Sequence, residues 1–464
     1  MNDIRMDLEE SLSLVSTELD LHINDRRFAL AMDARDPMAP VRTRFEYPKM
    51  KQLPFVDLGK VDAEEDSIYL AGNSLGLMPK AAKEELDQFL KQWSDYGVYG
   101  HHYGEHPWYI CDEELLPRMA RLVGASTDEV AIMNQLTSSL HFMLLTFYRP
   151  TQSRYKILFE DKSFPSDYYA FESQALLHGL DPNDALLAVK PRQGEHCLRL
   201  EDILQMIRNH GTEISVICFS GTQYYTGQHF NIPAITSCGH QVGAFVGWDL
   251  AHSVGNIELD LHEWDVDFAV WTTYKYLNAG AGNTGAAFLH SRLFSSNLPY
   301  LSGWWGHDIE TRMQMTNIME PGRGIRKYRM STPSALHCAA LRSALKIFDM
   351  VNMKSVRRKS ILLTEYLDRL LNSINVEVGE NVLQVITPRD KEERGAQLSV
   401  SFSGIHLDDI HTFLKENGVV CDQRKPNVIR MAACPLYNSF LDVFRAYEVI
   451  LSFVSCRSME CSSK

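Results

Sequence analysis

Short apolar runs rich in Val, Ile and Phe alternate with helix-period segments and glycine turns from Ile68 to about Gly306. Such runs indicate buried strands, and their alternation with helices is typical of βαβ units with a parallel sheet. The chain is therefore predicted to be an α/β protein. The predicted strands are 129–133, 155–159, 214–219, 244–248, 268–272 and 286–290, and the helices predicted between several of them include 79–94, 136–147 and 200–209.

The two ends of the chain follow other patterns. The N-terminal residues combine acidic helix-like sequence with four spaced prolines and have too little apolar sequence for an independent core. After a Gly- and Trp-rich segment at 302–306, long helical patterns precede a mixture of strands and helices. We predict an N-terminal arm and helix that pack on the small domain (1–66), a large domain (67–332) and a small C-terminal domain (333–464).

Composition restricts the classes of partner. The 464 residues include 46 Lys and Arg against 59 Asp and Glu, a formal net charge of −13, so a clustered positive surface for nucleic acid is not expected. The sequence has neither an apolar signal core at its N-terminus nor an uninterrupted apolar stretch of about 18 residues, so we expect no membrane span. Nine scattered cysteines without Cys-x-x-Cys spacing are typical of reduced thiols and predict a cytoplasmic protein.

Two motif matches lack the structural context that their chemistry needs. Residues 280–285 have the letters of a dinucleotide fingerprint, but a strand rather than a helix is predicted after them. Residues 102–106 have the letters of a zinc motif, but Gly104 and Pro107 indicate a loop. We therefore expect neither a dinucleotide nor a metal, and we interpret 101–108 as a candidate substrate wall.

Two ionisable residues end consecutive strand-like runs. Asp249 closes the run 244–248, and Lys275 closes the run 268–274. Parallel strands deliver such side chains to the carboxyl edge of a sheet, where open α/β sheets bind ligands. Burial disfavours the charge of a lysine and leaves an amine that can form a Schiff base with an aldehyde. Pyridoxal phosphate needs such a lysine and an acid facing its ring nitrogen, and these two residues supply both.

Each of these residues also fits an ordinary structural role. Asp249 would equally serve as a helix cap, and Lys275 as a solvated strand end. A helix that opens at Leu136 directly after a strand would present the Thr137 hydroxyl and free N–H groups to the phosphate, although Thr137 also fits an ordinary cap. Cys218, inside an apolar run, is interpreted as a small buried residue rather than a nucleophile.

Six segments in chain order resemble kynureninase, a family within the class V aminotransferase group. The Asp-x-Ala-His and lysine segments alone indicate only the wider group, whereas the Phe-Pro-Ser-Asp, Tyr-Thr-Gly-Gln and Trp-Trp-Gly-His segments are more specific. The resemblance extends from about residue 67 to about residue 440. The segments are Gly72-Asn73-Ser74-Leu75-Gly76, Phe164-Pro165-Ser166-Asp167, Tyr225-Thr226-Gly227-Gln228, Asp249-Leu250-Ala251-His252, Tyr274-Lys275-Tyr276-Leu277-Asn278 and Gly303-Trp304-Trp305-Gly306-His307.

The resemblance implies a fold-type-I pyridoxal phosphate enzyme, with a mainly parallel seven-stranded sheet in the large domain and a smaller α+β C-terminal domain. It implies hydrolysis of L-kynurenine or 3-hydroxy-L-kynurenine to an anthranilate and L-alanine, in tryptophan catabolism and NAD biosynthesis. It also implies a homodimer whose active sites are shared between subunits.

Carried over by position, the resemblance implies catalytic roles for Lys275, Tyr274 and Asp249. Trp304 and Thr332 would reach each site from the partner subunit, and the substrate would contact Ser74, His101, Tyr225 and Arg430. The implied cofactor-binding residues are Leu136, Thr137, Phe164, Pro165, Ser166, Asp167, Ser220, Asp249, His252, Tyr274, Lys275, Trp304 and Thr332.

Three questions stay open at this point. Thr332 stands where animal enzymes usually carry Asn, so the preference between the two kynurenines is open. Another class V lyase, such as a cysteine desulfurase or selenocysteine lyase, would need a mobile nucleophilic cysteine, whereas the first cysteine after Lys275 is Cys338 in helix-like sequence. The third reading, an inactive pyridoxal phosphate-binding scaffold, is disfavoured by the intact Lys275, Asp249 and Tyr274.

Overall fold

A computed structural model describes residues 8–462, with side chains from residue 12 to residue 457. The chain forms two compact units. The large unit contains 81–224 and 229–349, and the small unit contains 225–228 together with the described residues up to 80 and from 350 onward. The residues 67–80, 225–228 and 333–349 fall in a different unit from the one that the predicted domain boundaries give them. A contact-based division of this kind does not test the domains themselves, so the predicted boundaries remain a prediction.

The strands occur in both units. They are β1 (Ile68–Tyr69), β2 (Val130–Met133), β3 (Lys156–Glu160), β4 (Leu186–Val189), β5 (Ile214–Ser220), β6 (Phe245–Asp249), β7 (Phe268–Thr272), β8 (Gly285–Leu289), β9 (Leu383–Val385), β10 (Gln397–Phe402), β11 (Val419–Val420), β12 (Asp422–Arg424) and β13 (Val428–Ala432).

The α-helices range from single turns to long helices, and within residues 8–462 no helix is both long and apolar enough to cross a bilayer. They are α1 (Leu8–Leu19), α2 (Arg26–Ala34), α3 (Ala39–Arg42), α4 (Ala81–Tyr96), α5 (Leu116–Val123), α6 (Leu136–Phe147), α7 (Pro165–Leu177), α8 (Pro182–Ala185), α9 (Leu200–His210), α10 (Ile232–Gln241), α11 (Ala335–Asp349), α12 (Met353–Val378), α13 (Leu407–Glu416) and α14 (Phe440–Ser462).

A seven-stranded sheet forms the centre of the large unit, in the order β2-β8-β7-β6-β5-β3-β4. The pairs from β7 to β4 are parallel, whereas β8 runs antiparallel to both of its neighbours. Strands β2, β7 and β8 are buried at every position, as expected for strands that are covered on both faces. The predicted α/β fold with a mainly parallel sheet of seven strands is confirmed.

Helix α6 illustrates how apolar spacing covers the sheet. Its buried residues Leu140, Met143, Leu144 and Phe147 recur at helical spacing. The Phe147 ring stacks on the Phe268 ring of β7, with ring centroids 4.7 Å apart. Fully burying one such side chain stabilises the fold by about 1.5–3 kcal/mol. The same packing fixes the start of α6 at the edge of the sheet where β2 ends.

The small unit contains an antiparallel sheet in the order β12-β13-β10-β9 and a parallel pair formed by β1 and β11. Helices α1 and α2 pack with α12 and α14 around one apolar core. The carboxylate of Asp33 accepts the N–H groups of Phe440 (2.7 Å) and Leu441 (3.0 Å) at the start of α14. Asp36 forms a buried ion pair with Lys359 at 2.8 Å. These contacts attach the N-terminal helices to the C-terminal part of the chain.

The strands and helices predicted in the first subsection for the large unit all occur, with bounds that differ by at most two residues. Strand β4 and helices α7 and α10 were not among them. The segment Ser126–Glu129, whose capping-box spacing preceded strand-like sequence, forms a capped short turn, and β2 begins directly after it.

Gly247 provides a test of the sheet packing, because it pairs with Phe268 across β6 and β7. A Cβ atom at this position would lie 2.0 Å from the Phe268 ring. We expect Gly247→Ala to lower the free energy of unfolding by about 1–3 kcal/mol, measured by urea denaturation. Adding Phe268→Leu should recover part of the loss, whereas Gly59→Ala in an exposed turn should change stability little. An unaltered midpoint for Gly247→Ala would contradict this packing.

Candidate active site

A cavity opens in the large unit at the carboxyl edge of its sheet. It lies where β5, β6 and β7 end and where α6 and α7 begin. The structure therefore brings together most of the side chains that the sequence assigned to a cofactor. The predicted residues that line this cavity are Leu136, Thr137, Phe164, Ser166, Ser220, Asp249, His252, Tyr274 and Lys275, and they are joined by Thr222, Tyr224, Ala251 and Thr272.

Lys275 follows β7 in a tight turn and is half-buried. Its carbonyl group accepts the N–H of Asn278 at 3.0 Å, and Asn278 adopts a left-handed conformation with φ of 62°. The Nζ atom of Lys275 lies 2.9 Å from Nε2 of His252 and 5.8 Å from the centroid of the Phe164 ring. The turn thus directs the lysine amine into the cavity between an imidazole and an exposed aromatic ring.

Asp249 is the last residue of β6, and its buried carboxylate accepts the Ala251 N–H at 2.7 Å. Burial raises the pKa of Asp249, while a hydrogen bond from Asp167 and the charge of Lys275 oppose this rise. Burial and the neighbouring Asp249 raise the pKa of Asp167 well above its ordinary value. Two acidic groups that are hydrogen-bonded to each other must share a proton, so the pair binds one more proton than two exposed carboxylates would.

Glu160 adds a third buried carboxyl group to this edge, and the sequence analysis missed it. It is the last residue of β3, and its carboxylate accepts the Ser220 hydroxyl at 2.5 Å. Burial raises the pKa of Glu160 to about 7, and the charge of Asp249 adds to the rise. The only signal in the sequence was an acidic residue directly after the apolar run Ile157-Leu158-Phe159. Acidic residues also occur at strand ends that are exposed to solvent, so this pattern alone does not indicate a buried carboxyl group.

The starts of α6 and α7 meet beside the lysine. The hydroxyl groups of Thr137, in the first turn of α6, and Ser166, in the first turn of α7, are 2.5 Å apart. The first N–H groups of an α-helix lack intrahelical partners and favour an anion. Two helix starts with two hydroxyl groups are therefore suited to a phosphate group. Tyr274 also lines this cavity, and burial raises the pKa of its phenol.

Two buried polar atoms, one in the first turn of α7 and one on the last residue of β7, have no hydrogen-bond partner within the described part of the chain. They are Oδ1 of Asp167 and Oγ1 of Thr272. An orphaned buried polar atom next to an amine and an acid indicates a ligand with complementary polar groups. Lys275 for an aldehyde, Asp249 for a ring N–H and the hydroxyl-lined helix starts for a phosphate together fit pyridoxal phosphate.

Two of the predicted substrate contacts meet in the small unit. Arg430, on β13, is buried, and its Nη2 atom forms an ion pair with Asp422 at 2.7 Å. Ser399 of β10 pairs in register with Arg430, so both side chains lie on the same face of the sheet. The Ser399 hydroxyl donates to the carbonyl oxygen of Tyr225 at 2.6 Å. Tyr225 is thereby attached to the face that carries Arg430.

The third of these contacts, Ser74, is linked to the same face through Asn73. The Asn73 amide donates to Gln397 at 2.8 Å, and the Gln397 amide donates to the Ser399 hydroxyl at 3.0 Å. Ser74 itself is exposed directly after this buried anchor. The structure thus gathers the segments of Ser74, Tyr225 and Arg430, which are far apart in sequence.

Other predicted residues lie outside the cavity lining. Pro165 occupies the first position of α7, where its missing N–H has no helical partner to lose. His101 is exposed and meets the edge of the Trp108 ring, with ring centroids 5.4 Å apart. Trp304 and Thr332 are exposed in the large unit, and neither is among the described residues that line the cavity.

At the opposite edge of the large sheet, three side chains that sequence analysis did not single out lie together. Glu129, His262 and His290 offer ligand atoms within 4.8 Å of one another. Glu129 already accepts the N–H groups of Ser126 (2.9 Å) and Ser291 (2.8 Å), and its Oε1 atom lies 2.8 Å from Nδ1 of His262. We interpret this group as a hydrogen-bonded cluster that joins two strand ends.

Comparison with known proteins places the chain among characterised relatives. Residues 356–450 match the family model of the kynureninase C-terminal domain. A kynureninase of Rattus norvegicus is 46% identical over 449 residues, covering 96% of this chain and 97% of that protein. A kynureninase of Homo sapiens is 46% identical over 449 residues, covering 96% of each. That of Myxococcus xanthus is 45% identical over 419 residues, covering 90% of this chain and 95% of that protein.

Solved structures show the same fold at low sequence identity. An apo cysteine desulfurase from Thermococcus onnurineus has a TM-score of 0.71 and 16% identity, covering 87% of this chain and 98% of that chain. A C-DES variant with glycine covalently linked to its PLP cofactor has a TM-score of 0.70 and 16% identity, covering 85% of this chain and 99% of that chain.

The buried acids predict how stability depends on pH. A carboxyl group whose pKa is higher in the folded state ionises first in the unfolded state, so stability falls as the pH rises through that interval. For Glu160 the interval extends from about pH 4.5 to about pH 7, and Asp167 shifts in the same direction. We expect the cofactor-free protein to lose about 1–3 kcal/mol across it, measured by urea denaturation at fixed pH values.

Asp167→Asn should flatten this pH dependence, because an amide removes one acid and donates a hydrogen bond to Asp249. Glu201→Gln, on the exposed surface of α9, is the matched control and should leave the slope unchanged. A slope that is the same in wild type and Asp167→Asn would show that Asp167 does not contribute to it.

Proposed function

The chain belongs to the kynureninase family, and from this premise we propose the role of each residue at the candidate active site. The protein is a pyridoxal phosphate-dependent enzyme that hydrolyses kynurenine to an anthranilate and alanine, a reaction of tryptophan catabolism. The observation that carries the assignment is a single cavity into which the Lys275 amine and the buried Asp249 carboxyl group both face.

The cofactor would be held by groups at three positions of the cavity. We assign its phosphate to Thr137, Ser166 and the N–H groups at Leu136, with Tyr274 beside them. We assign its ring to the face of Phe164, and its ring nitrogen to Asp249 with Asp167. Bound pyridoxal phosphate supplies an electron-withdrawing ring that stabilises negative charge at the substrate α-carbon. His252 and Ser220 complete the cavity lining at the ring.

Proton transfers are assigned to two neighbouring side chains. Lys275 is proposed to take the proton from the substrate α-carbon, and its Nζ atom lies 2.9 Å from Nε2 of His252, which would orient the amine when it is not bonded to the cofactor. Tyr274 is proposed as a later proton donor. A phenol is protonated at neutral pH, and burial raises the pKa of Tyr274 further, so its proton is present when the carbon–carbon bond breaks.

Four residues are proposed to contact the substrate because of their positions in the family resemblance: Ser74, His101, Tyr225 and Arg430. The planar guanidinium of Arg430 offers paired N–H donors to the α-carboxylate, and Asp422 and Ser399 keep it in register on the sheet. Ser74 and Tyr225 are proposed to contact the same substrate. His101, supported by the Trp108 ring, is proposed to face the aromatic end of kynurenine.

We propose that the active enzyme is a homodimer with shared active sites. Trp304 and Thr332 are assigned to the cofactor by position, yet both are exposed, and Trp304 has 48% of its surface accessible. In a dimer, a second copy of the chain would cover Trp304 and Thr332, and these residues would then line the cavity of that second copy. Large exposed apolar side chains on the same unit support an interface; they include Trp93, Tyr99, Tyr103, Leu301 and Ile318.

A reducing, cytoplasmic location is part of the proposal. All eight cysteines whose side chains are described carry free thiols, which matches a reducing compartment.

Two competing functions are not favoured. A cysteine-dependent lyase would need an accessible thiolate, but Cys338 is buried within α11, where the neighbouring Cys111 and burial raise its pKa. An inactive scaffold would not require the Lys275–His252 contact.

Lys275→Ala tests the assignment directly. Without the amine the cofactor has no covalent attachment and the α-proton has no base, so turnover of kynurenine should fall by at least about a thousandfold. Borohydride reduction followed by peptide mass spectrometry should find the cofactor on Lys275 in wild type and on no residue in the variant. Lys162→Ala, an exposed lysine near the cavity, should keep both properties. Labelling at another lysine would reject Lys275.

Mixed dimers test the sharing of active sites. Lys275→Ala and Trp304→Ala should each be severely impaired alone. Co-expression should restore about a quarter of wild-type activity, because half of the dimers are mixed and each of these has one intact site. The readout is anthranilate fluorescence. Lack of recovery in purified mixed dimers would mean that Trp304 serves its own subunit.

A further inference from the structure

We propose that Glu160 is a positioning residue of the cofactor site, which acts by holding the hydroxyl and N–H groups of Ser220. The inference rests on the proposed binding of pyridoxal phosphate in this cavity. Glu160 does not line the cavity among the described residues, so its effect on the cofactor must be transmitted through Ser220 or through its charge.

The contacts of Glu160 are specific and close. The Ser220 hydroxyl donates to Oε1 of Glu160 at 2.5 Å, and the Ser220 N–H lies 3.2 Å from both carboxylate oxygens. Only 1% of the Glu160 surface is accessible, and the three preceding residues of β3 are buried and apolar. An apolar residue would suit this end of the strand without a desolvation cost, so the carboxylate needs another reason to be there.

The first consequence of these contacts concerns the polarity of Ser220. When Glu160 is ionised, the hydroxyl proton of Ser220 is committed to it, so the Oγ atom of Ser220 presents only lone pairs to the cavity. Ser220 and Asp249 pair in register at the ends of β5 and β6. Two neighbouring strands therefore offer adjacent hydrogen-bond acceptors to the ring of the cofactor, an arrangement that selects a protonated, donating ring.

The second consequence concerns charge. The titratable groups that face Glu160 are Cys218 on β5, Asp249 on β6 and Asp167 on α7. Burial raises the pKa of Cys218, so its thiol remains neutral. The positive charge of Lys275 acts on Asp167 and Asp249 and lowers the pKa of both. When Glu160 is ionised, it adds negative potential behind the two aspartates and favours a cationic ring in front of them.

Glu160→Gln keeps the shape of the side chain but removes its charge and one of its two acceptor oxygens. We expect the dissociation constant of pyridoxal phosphate for the cofactor-free protein to rise about tenfold, as for loss of one charge-assisted hydrogen bond. Quenching of tryptophan fluorescence measures this affinity. The pH midpoint of the bound-cofactor absorption band should also shift, which a merely structural role would not produce.

A double-mutant cycle separates action through Ser220 from general destabilisation. If Glu160 acts mainly through Ser220, then Glu160→Gln should weaken cofactor binding clearly less when Ser220→Ala is already present than in wild type, and any remaining effect measures the direct action of its charge. Additive effects would overturn the proposal. Should Glu160→Gln fail to fold, Ser220→Ala alone decides: the proposal requires it to weaken cofactor binding by a similar factor, and unchanged affinity overturns it.

Glu129→Gln is the matched control. Glu129 is equally buried, also lies at a strand end of the same sheet and also accepts N–H groups, but at the opposite edge. Its substitution should lower stability without changing cofactor affinity or the absorption midpoint. If the wild-type protein fails to bind pyridoxal phosphate, the proposed function is refuted. If wild type binds it and Glu160→Gln binds it with the same affinity, only this inference is refuted.

Discussion

Three carboxyl groups are buried together at the carboxyl edge of the large sheet, and the organisation of the site follows from them. Glu160, Asp167 and Asp249 lie close to one another. The charge of Asp249 raises the pKa of Glu160 and of Asp167, and Asp167 and Asp249 share a hydrogen bond. A buried carboxylate costs several kcal/mol unless hydrogen bonds or an opposite charge compensate it. Lys275 supplies one positive charge. Oδ1 of Asp167 has no hydrogen-bond partner among the described residues and would suit a donating, cationic ring. In the proposed complex, the cofactor is thus part of the electrostatic balance of this edge.

The strand order explains why these groups meet. Strands β3, β5, β6 and β7 are neighbours and run parallel, so their last residues and the following turns arrive at one edge. Each strand end therefore contributes one polar group to a short row. The helices that follow β2 and β3 begin at the same edge and add their free N–H groups. One topological rule thereby brings the amine, the three acids and the two helix starts to the same edge of the sheet.

The sequence predicted the parts of this arrangement that depend on local pattern. Asp249 and Lys275 follow unmistakable apolar runs, and the start of α6 follows β2 directly, so strand and helix periodicity was enough. Ser74, Tyr225 and Arg430 required the family resemblance, because their proximity depends on the register of β10 with β13 and on the Asn73–Gln397–Ser399 hydrogen bonds. Neither register nor side-chain pairing across hundreds of residues is visible in a single sequence.

Glu160 was missed for a physical reason that a comparison with Glu129 makes clear. Both are glutamates at strand ends of one sheet, and both are almost fully buried. Burial alone would raise the pKa of each. Hydrogen bonds from Ser126, His262 and Ser291 outweigh burial and lower the pKa of Glu129 to about 2. At Glu160 burial outweighs the hydrogen bonds from Ser220 and, with a smaller contribution from the charge of Asp249, raises the pKa to about 7. Sequence pattern gives the same interpretation for both residues. The difference between a structural acid and one that tunes a site lies in what the fold places opposite it.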